Sequence, residues 1–344
     1  MFSREVRFYE ELAARVGEVW FFTYGRNDHR YVDRLRGHIK IFPKQFPVPN
    51  LLYGTLLPFV YWRTLKHADV IRIHQVAGAI PALLTHWFFR KPLIVRAGYQ
   101  WSLFHKQKYS RYSKRLMIEW IEAWVYRAAR IVIVTTRAAA DYIVRRYQIP
   151  GQKVHVIPNY VDSEHFRPFT DIKKENDRVC FVGRLSPEKN LTNLIESLQG
   201  TNIHLVLYGD GPLRMTLEQQ AQRLGVHASF RGNIPNEQLP EALNTCELFV
   251  LPSLHEGNPK ALLEAMACGL PVIGTNVEGI ASLIEDGKTG VLCETNSSSI
   301  RQAITSLLAD PAQRAKLGMT AHEFIVGYAS LERAIQTEVS LYDI

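Results

Sequence analysis

The stretch ELFVLPSLHEGNPKALLEAMACGLPVIG, Glu247 to Gly274, leaves a chain few ways to fold. Two short apolar runs, ELFVL and PVIG, flank a segment of helical composition whose ends are both marked. Asn258 is placed to cap the helix, and Pro259 falls where a first helical residue needs no N–H. Gly269 suits a left-handed stop, and Pro271 blocks continuation. The body, Lys260–Cys268, is nearly all apolar or small, which predicts burial on most sides. Strand, loop, helix and strand in that order put Glu256 at the carboxyl end of a strand, where open α/β sheets bind ligands. Glu264 sits inside the apolar helix, and a buried carboxylate is costly unless paired. The helix start, with free N–H groups and a positive pole, suits an anion such as a phosphate. The stretch therefore offers an anion site with a carboxylate on each side. A buried helix with Glu256 in water would explain the helix but not its flanking strands.

The same alternation runs along the rest of the chain. Helices are predicted at Leu52–Leu65, Ala79–Phe89, about Tyr109–Ala129 and Arg137–Tyr147, with apolar strands between them. Polar, aperiodic residues Pro168–Asp177 read as an interdomain linker, after which strands and helices alternate again. A short helix is predicted at Ile280–Ile284. The expected fold class is α/β, with two Rossmann-like doubly wound domains facing a cleft. The domains are expected at residues 1–167 and 168–327, with a last helix, 328–344, packing back on the first.

Charge divides the chain in the same place. Residues 1–170 hold 27 Lys and Arg against 12 Asp and Glu, and residues 171–344 hold 14 against 21. A basic half of +15 beside an acidic half of −7 implies different partners. A phosphate-linked acceptor or an anionic membrane surface suits the basic half. Nucleic acid is not expected, because no helix-turn-helix, zinc-finger or RNP-type pattern occurs. Lys106, Lys108, Arg111, Lys114 and Arg115 stand beside Met117, Trp120, Ile121 and Trp124, a mixture suited to a membrane interface. No apolar run reaches the ~18 residues that span a bilayer, and MFSREVRFYEEL lacks the pattern of a signal peptide. Cys180, Cys246, Cys268 and Cys293 lie singly in apolar segments, as buried thiols of a reducing compartment would.

Chemistry gathers at strand ends. In FVGRLSPEKN a strand ends at Gly183, and Arg184 and Lys189 follow in the loop. A planar guanidinium and a point-charge ammonium there can grip a pyrophosphate. Gly209 and Gly211, in GDGPLR, form a turn between strand and helix that can cradle a phosphate or ribose. No Asp-x-Asp occurs that could hold a metal on a diphosphate, and Arg184, Lys189 and a helix end are the positive groups present for such an anion. No metal and no cofactor are expected. No Ser/His or Cys/His nucleophile pair is legible.

Glu256-x7-Glu264, followed by Ala265, Ala267, Gly269, Pro271 and Val272, resembles the retaining GT-B glycosyltransferases of family 4, which use nucleotide sugars. GRLSPEKN, GDGPLR, FRGNIP (230–235) and HVIPNYVDSEHFRP (155–168) carry the same resemblance. It is strong over about residues 153–295 and loose before them. The resemblance implies transfer of a sugar with retention of configuration. Arg184 and Lys189 would hold the donor pyrophosphate, and Glu256, the third catalytic candidate, would contact the transferred sugar. Glu264 would bind the ribose, and Asn233 and Ile234 the base. Gly183, Gly209, Gly211, Asn258, Pro259, Lys260 and Ala261 complete the expected donor site. His74 and Arg96 are the acceptor-side candidates in the first domain. The acceptor is expected to be a glycan or lipid-linked glycan of cell-surface polysaccharide or glycolipid synthesis. The place is expected to be cytoplasmic, on the inner face of the membrane. A catalytically silent GT-B subunit that binds a glycan or protein partner is the alternative. Family members open on a strand, whereas this chain opens on a helix. The first domain is therefore expected to lack its first strand, which another strand replaces or residues upstream of Met1 encode.

Overall fold

Alternating apolar runs and amphipathic segments become parallel sheets faced by helices, in two separate units. The structure, a computed structural model, describes residues 2–28, 35, 38–74, 78–98 and 112–342. Lys106, Lys108 and Arg111 lie outside the described residues, as do the side chains of Lys114 and Arg115. One unit comprises Met1–Pro158 with Ile335–Ile344, and the other Asn159–Ala334.

The first unit begins α1 (Phe2–Val16), β1 (Val19–Phe22), β2 (Ile39–Phe42), α2 (Asn50–Val60) and α3 (Trp62–Leu65). It continues β3 (Ile71–His74), α4 (Ala79–Phe89), β4 (Leu93–Ala97), α5 (Tyr112–Ala128), β5 (Ile131–Val134), α6 (Arg137–Tyr147) and β6 (Val154–Val156). Where one helix, Leu52–Leu65, was predicted, Tyr61 leaves helical geometry and donates its hydroxyl to the Pro43 carbonyl at 2.8 Å. Among the described residues the strands form two parallel sheets, β1–β2 and β3–β4–β5–β6. A single doubly wound sheet is thus not formed in this unit. Side chains bridge the division between the two sheets. Tyr9 of α1 works across it, packing edge-on against Phe21 of β1 at 4.7 Å between ring centroids and accepting a bond from Arg72 of β3 at 2.7 Å.

The second unit holds β7 (Arg178–Val182), α7 (Leu191–Ser197), β8 (His204–Tyr208), α8 (Arg214–Leu224), β9 (Ala228–Gly232) and α9 (Leu239–Asn244). Then follow β10 (Leu248–Leu251), α10 (Lys260–Ala267), β11 (Val272–Thr275), α11 (Glu278–Ala281), β12 (Val291–Cys293), α12 (Ser297–Ala309), α13 (Pro311–Ala329) and α14 (Leu331–Ser340), of which the residues from Ile335 onward count with the first unit. One parallel sheet runs β12-β11-β10-β7-β8-β9. Strand order reverses between β7 and β10. Every residue of β7, β10 and β11 is buried, as a sheet covered on both faces requires.

The units meet in the chain earlier than the expected 167/168. Asn159 bonds to Asn258, and Val161 pairs with Ser330, so the segment already belongs to the second unit. Residues 168–177 are correspondingly not a linker. The Phe169 N–H reaches Asn244 Oδ1 at 2.9 Å, and the Glu175 N–H reaches the Thr245 carbonyl at 2.9 Å. The last ten residues count with the first unit. Glu338 of α14 lies fully buried there, 2.6 Å from Arg72 and 3.1 Å from Arg96.

Candidate active site

The reversal between β7 and β10 opens a crevice at the carboxyl edge of the second sheet, the general ligand position in open α/β folds. The loops after these two strands carry Arg184, Lys189 and Glu256. Backbone bonds fix the first loop: Gly183 N–H to the Tyr208 carbonyl at 2.9 Å, Leu185 N–H to Asp210 at 3.0 Å, and Leu213 N–H to Leu185 at 3.0 Å. Gly209 makes this interlocking possible. Its φ is +132°, and a β-carbon there would stand 1.9 Å from the Gly183 carbonyl oxygen. Gly211 lies in the same crossing. Loop-on-loop contact alone therefore demands these glycines, beside any phosphate they cradle.

Asn190, in a left-handed conformation, ties this loop to the next. Its side-chain amide donates to the carbonyls of Pro252 at 3.0 Å and Thr295 at 2.8 Å. The Leu254 N–H also reaches the Glu188 carbonyl at 2.8 Å. Lys189 is thereby held opposite Glu256, with Nζ 2.5 Å from Oε1. Ser253 donates to the same oxygen at 2.7 Å. The lysine side chain is 19% and the glutamate 11% exposed, so the pair stays open to a ligand while shielded from most water. The exposed Arg184 guanidinium makes no hydrogen bond or ion pair among the described residues. Burial would raise the Glu188 carboxyl, but its bond from Ser186 and the nearby Lys189 and Arg184 hold it below its ordinary value.

Helix α10 carries Glu264 at 1% exposure. Burial, then Glu264, pushes the Cys268 thiol well up, so it stays protonated. The helix starts one residue later than predicted. Pro259 takes the cap position with no side-chain cap. Asn258 is not the cap because its side-chain oxygen is engaged by Asn159: Oδ1 accepts from the Asn159 N–H at 2.9 Å, and the Asn258 backbone carbonyl accepts from Asn159 Nδ2 at 2.6 Å. Lys260 lies over the Tyr160 ring, 4.6 Å from its centroid, and Ala261 packs against the core. Asn233 and Ile234 follow β9 at the same edge of the sheet, the first exposed and the second half-buried. Arg214 braces that edge through the Phe230 carbonyl at 3.1 Å.

Sequence reading missed Ser253, Asn190 and Gly279. Helix α11 starts at Glu278, not at the predicted Ile280, and a β-carbon on Gly279 would fall 2.2 Å from the Glu256 carbonyl oxygen. The signal was present in the chain as a glycine at a helix start, without a visible neighbour to explain it.

In the first unit His74 and Arg96 are register partners at the ends of β3 and β4. Arg96 is 4% exposed and donates to Glu338 at 3.1 Å and to the Pro158 carbonyl at 3.4 Å. Its expected acceptor contact is replaced by this role, since a guanidinium so buried and paired holds the last helix in place. His74 Nδ1 lies 3.4 Å from the Tyr9 hydroxyl. Burial and then Arg72 push the imidazole down to about 4, although the residue keeps an exposed edge.

These features define a GT-B fold of two Rossmann-like α/β units. Anabaena Alr3699/HepE, solved in complex with UDP, shares it with a TM-score of 0.82, covering 100% of this chain and 97% of that one at 20% identity. Residues 162–324 match the family described as Glycosyl transferases group 1, and residues 6–165 match Glycosyltransferase Family 4. The chain belongs to the group 1 glycosyltransferases. The alpha-D-kanosaminyltransferase of Streptomyces kanamyceticus is 30% identical over 243 residues, 65% of this chain and 63% of the relative. The UDP-Gal:alpha-D-GlcNAc-diphosphoundecaprenol alpha-1,3-galactosyltransferase of Escherichia coli is 27% identical over 255 residues, 66% of this chain and 63% of the relative. The chain thus spans 63% of the length of these curated relatives.

Proposed function

We propose that the chain transfers a sugar from a nucleotide-sugar donor to a glycan or lipid-linked glycan, with retention of configuration and without a bound metal. The observation that carries this reading is the Lys189–Glu256 pair, with the unengaged Arg184 guanidinium on the same loop, at the strand-order reversal. A donor diphosphate offers Lys189 a stronger anionic partner. Moving to it frees the Glu256 carboxylate for the transferred sugar. As the bond from the sugar to the diphosphate breaks, its electron pair goes to the phosphate oxygen, where Arg184, Lys189 and the start of α10 stabilise the charge. An acceptor hydroxyl oxygen meanwhile bonds to the same sugar carbon on the same face and gives its proton to the departing phosphate. Glu264 holds the ribose, and Asn233 and Ile234 border the base. His74 stands on the acceptor side. The UDP complex of Alr3699/HepE and the diphosphoundecaprenol in the Escherichia coli relative's name support a nucleotide-sugar donor and a lipid-linked acceptor. A cytoplasmic, inner-face site in polysaccharide or glycolipid synthesis fits both.

Incubation with UDP-, GDP- and ADP-sugars in EDTA tests this reading. Slow nucleotide release from one donor, lost in Glu256→Ala, is expected. Activity that chelation removes and Mn²⁺ restores would contradict metal independence. Absence of release from every donor would favour the silent subunit.

A further inference from the structure

Helices α2 and α4 are apolar on all sides. Their inner faces fill the core through Tyr53 and Leu57, and through Ala82 and Leu83. A helix apolar all round needs a second apolar surrounding. The outer faces nevertheless stand open. Phe59, Trp62, Trp87, Phe88, Trp120 and Trp124 are each between 38% and 58% exposed. They stand on α2, α3, α4 and α5, and five of them meet another ring of the set. Phe59 meets Phe88 at 5.0 Å between ring centroids, Trp87 meets Trp124 at 5.5 Å, and Trp124 meets Trp120 at 4.5 Å. An apolar patch spread over four helices marks a partner or membrane surface.

Charge says which. Residues 50–68 and 78–98 contain no Asp or Glu. The two glutamates of α5 turn inward, Glu119 to Arg146 and Glu122 to the Tyr147 hydroxyl. Basic groups border the set instead. Arg63 and Lys66 lie over the Trp62 ring, at 5.6 and 5.4 Å from its centroid. Arg90 and Lys91 follow the end of α4. Tryptophan and phenylalanine rimmed by cations, with carboxylates turned away, match the interface of an anionic bilayer.

We propose that this face of the first unit docks on the anionic surface of a lipid bilayer, with the aromatic set inserted at headgroup depth. The proposal stands on the first unit alone and goes beyond the donor-site reading. Flotation of the full chain with vesicles of phosphatidylcholine, alone or mixed with phosphatidylglycerol, tests it. Binding to the mixed vesicles is expected to exceed that to neutral ones. Lys66→Glu with Arg90→Glu, both exposed changes, should lower it by about fivefold for each cation removed. Trp87→Ser with Trp120→Ser should abolish it, with circular dichroism as the folding control. Brominated lipid should quench the tryptophan fluorescence of the unaltered chain. Equal flotation on both vesicles, none on either, or unchanged binding by the charge-reversed variant would overturn the proposal. So would a dimer in solution that the tryptophan changes dissociate, because a second copy would then cover the face.

Discussion

The two units follow one α/β plan and place their ion pairs differently. In the second, the sheet is unbroken, and Arg184, Lys189 and Glu256 sit in loops at its carboxyl edge. In the first, the strands divide into two sheets, and an ionic cluster of Arg72, Arg96 and Glu338 is buried inside. A set of its aromatic residues, Phe59, Trp62, Trp87, Phe88, Trp120 and Trp124, stands exposed. A continuous sheet with a strand-order reversal fixes a ligand position by topology alone. A divided sheet has none, and its surfaces must be read from side chains. The second unit therefore carries the donor reading and the first the docking surface.

The comparison breaks most readily at Glu338. Replacing it with Ala leaves Arg72 and Arg96 without their buried carboxylate, at a cost of roughly 3–5 kcal/mol to the first unit. Thermal unfolding should show that loss while nucleotide binding by the second unit persists. A change in both would mean the units are not independent in this way. Gly209→Val tests the other side. Strain at φ +132° and collision with the Gly183 carbonyl should cost about 3 kcal/mol and disable the donor loops. Vesicle flotation should survive. Arg184→Ala removes a charge-assisted contact worth about 1.5–3 kcal/mol, so nucleotide affinity should fall about 10- to 100-fold without loss of stability. Glu256→Ala should lower the rate more than the affinity.

The smallest effect is that of pH on the first unit. The folded value of His74, about 4, lies below its ordinary 6.5, so the unfolded chain takes the proton first. Stability is then full above 6.5 and declines as pH falls towards 4. Burial would raise the Glu338 carboxyl, but Arg72 and Arg96 hold it below 4.5, so its contribution is present above that pH and lost below it. Melting curves should fall over both ranges, and His74→Asn should flatten the upper one.

Much of this was legible because it is local. Ala79–Phe89 and Arg137–Tyr147 were bounded correctly from apolar spacing and turn residues. Arg184, Lys189 and Glu256 were placed at strand ends by the same reasoning. What escaped was decided by residues distant in sequence. Asn159 takes Asn258 away from the helix cap, and Glu338 takes Arg96 away from the surface. The need for Gly279 becomes visible only when the Glu256 carbonyl is brought against it. The aromatic face spans four helices that no single periodicity joins, so the sequence showed only its α5 edge.

Titration of UDP, GDP and ADP by calorimetry in EDTA, on the unaltered chain and on Lys189→Ala, bears most directly on the central claim. Saturable binding of one nucleoside diphosphate, weakened an order of magnitude or more in the variant, is the predicted result. Equal affinity in both proteins, or binding that appears only when Mn²⁺ is restored, would contradict a donor site built on the Lys189–Glu256 pair.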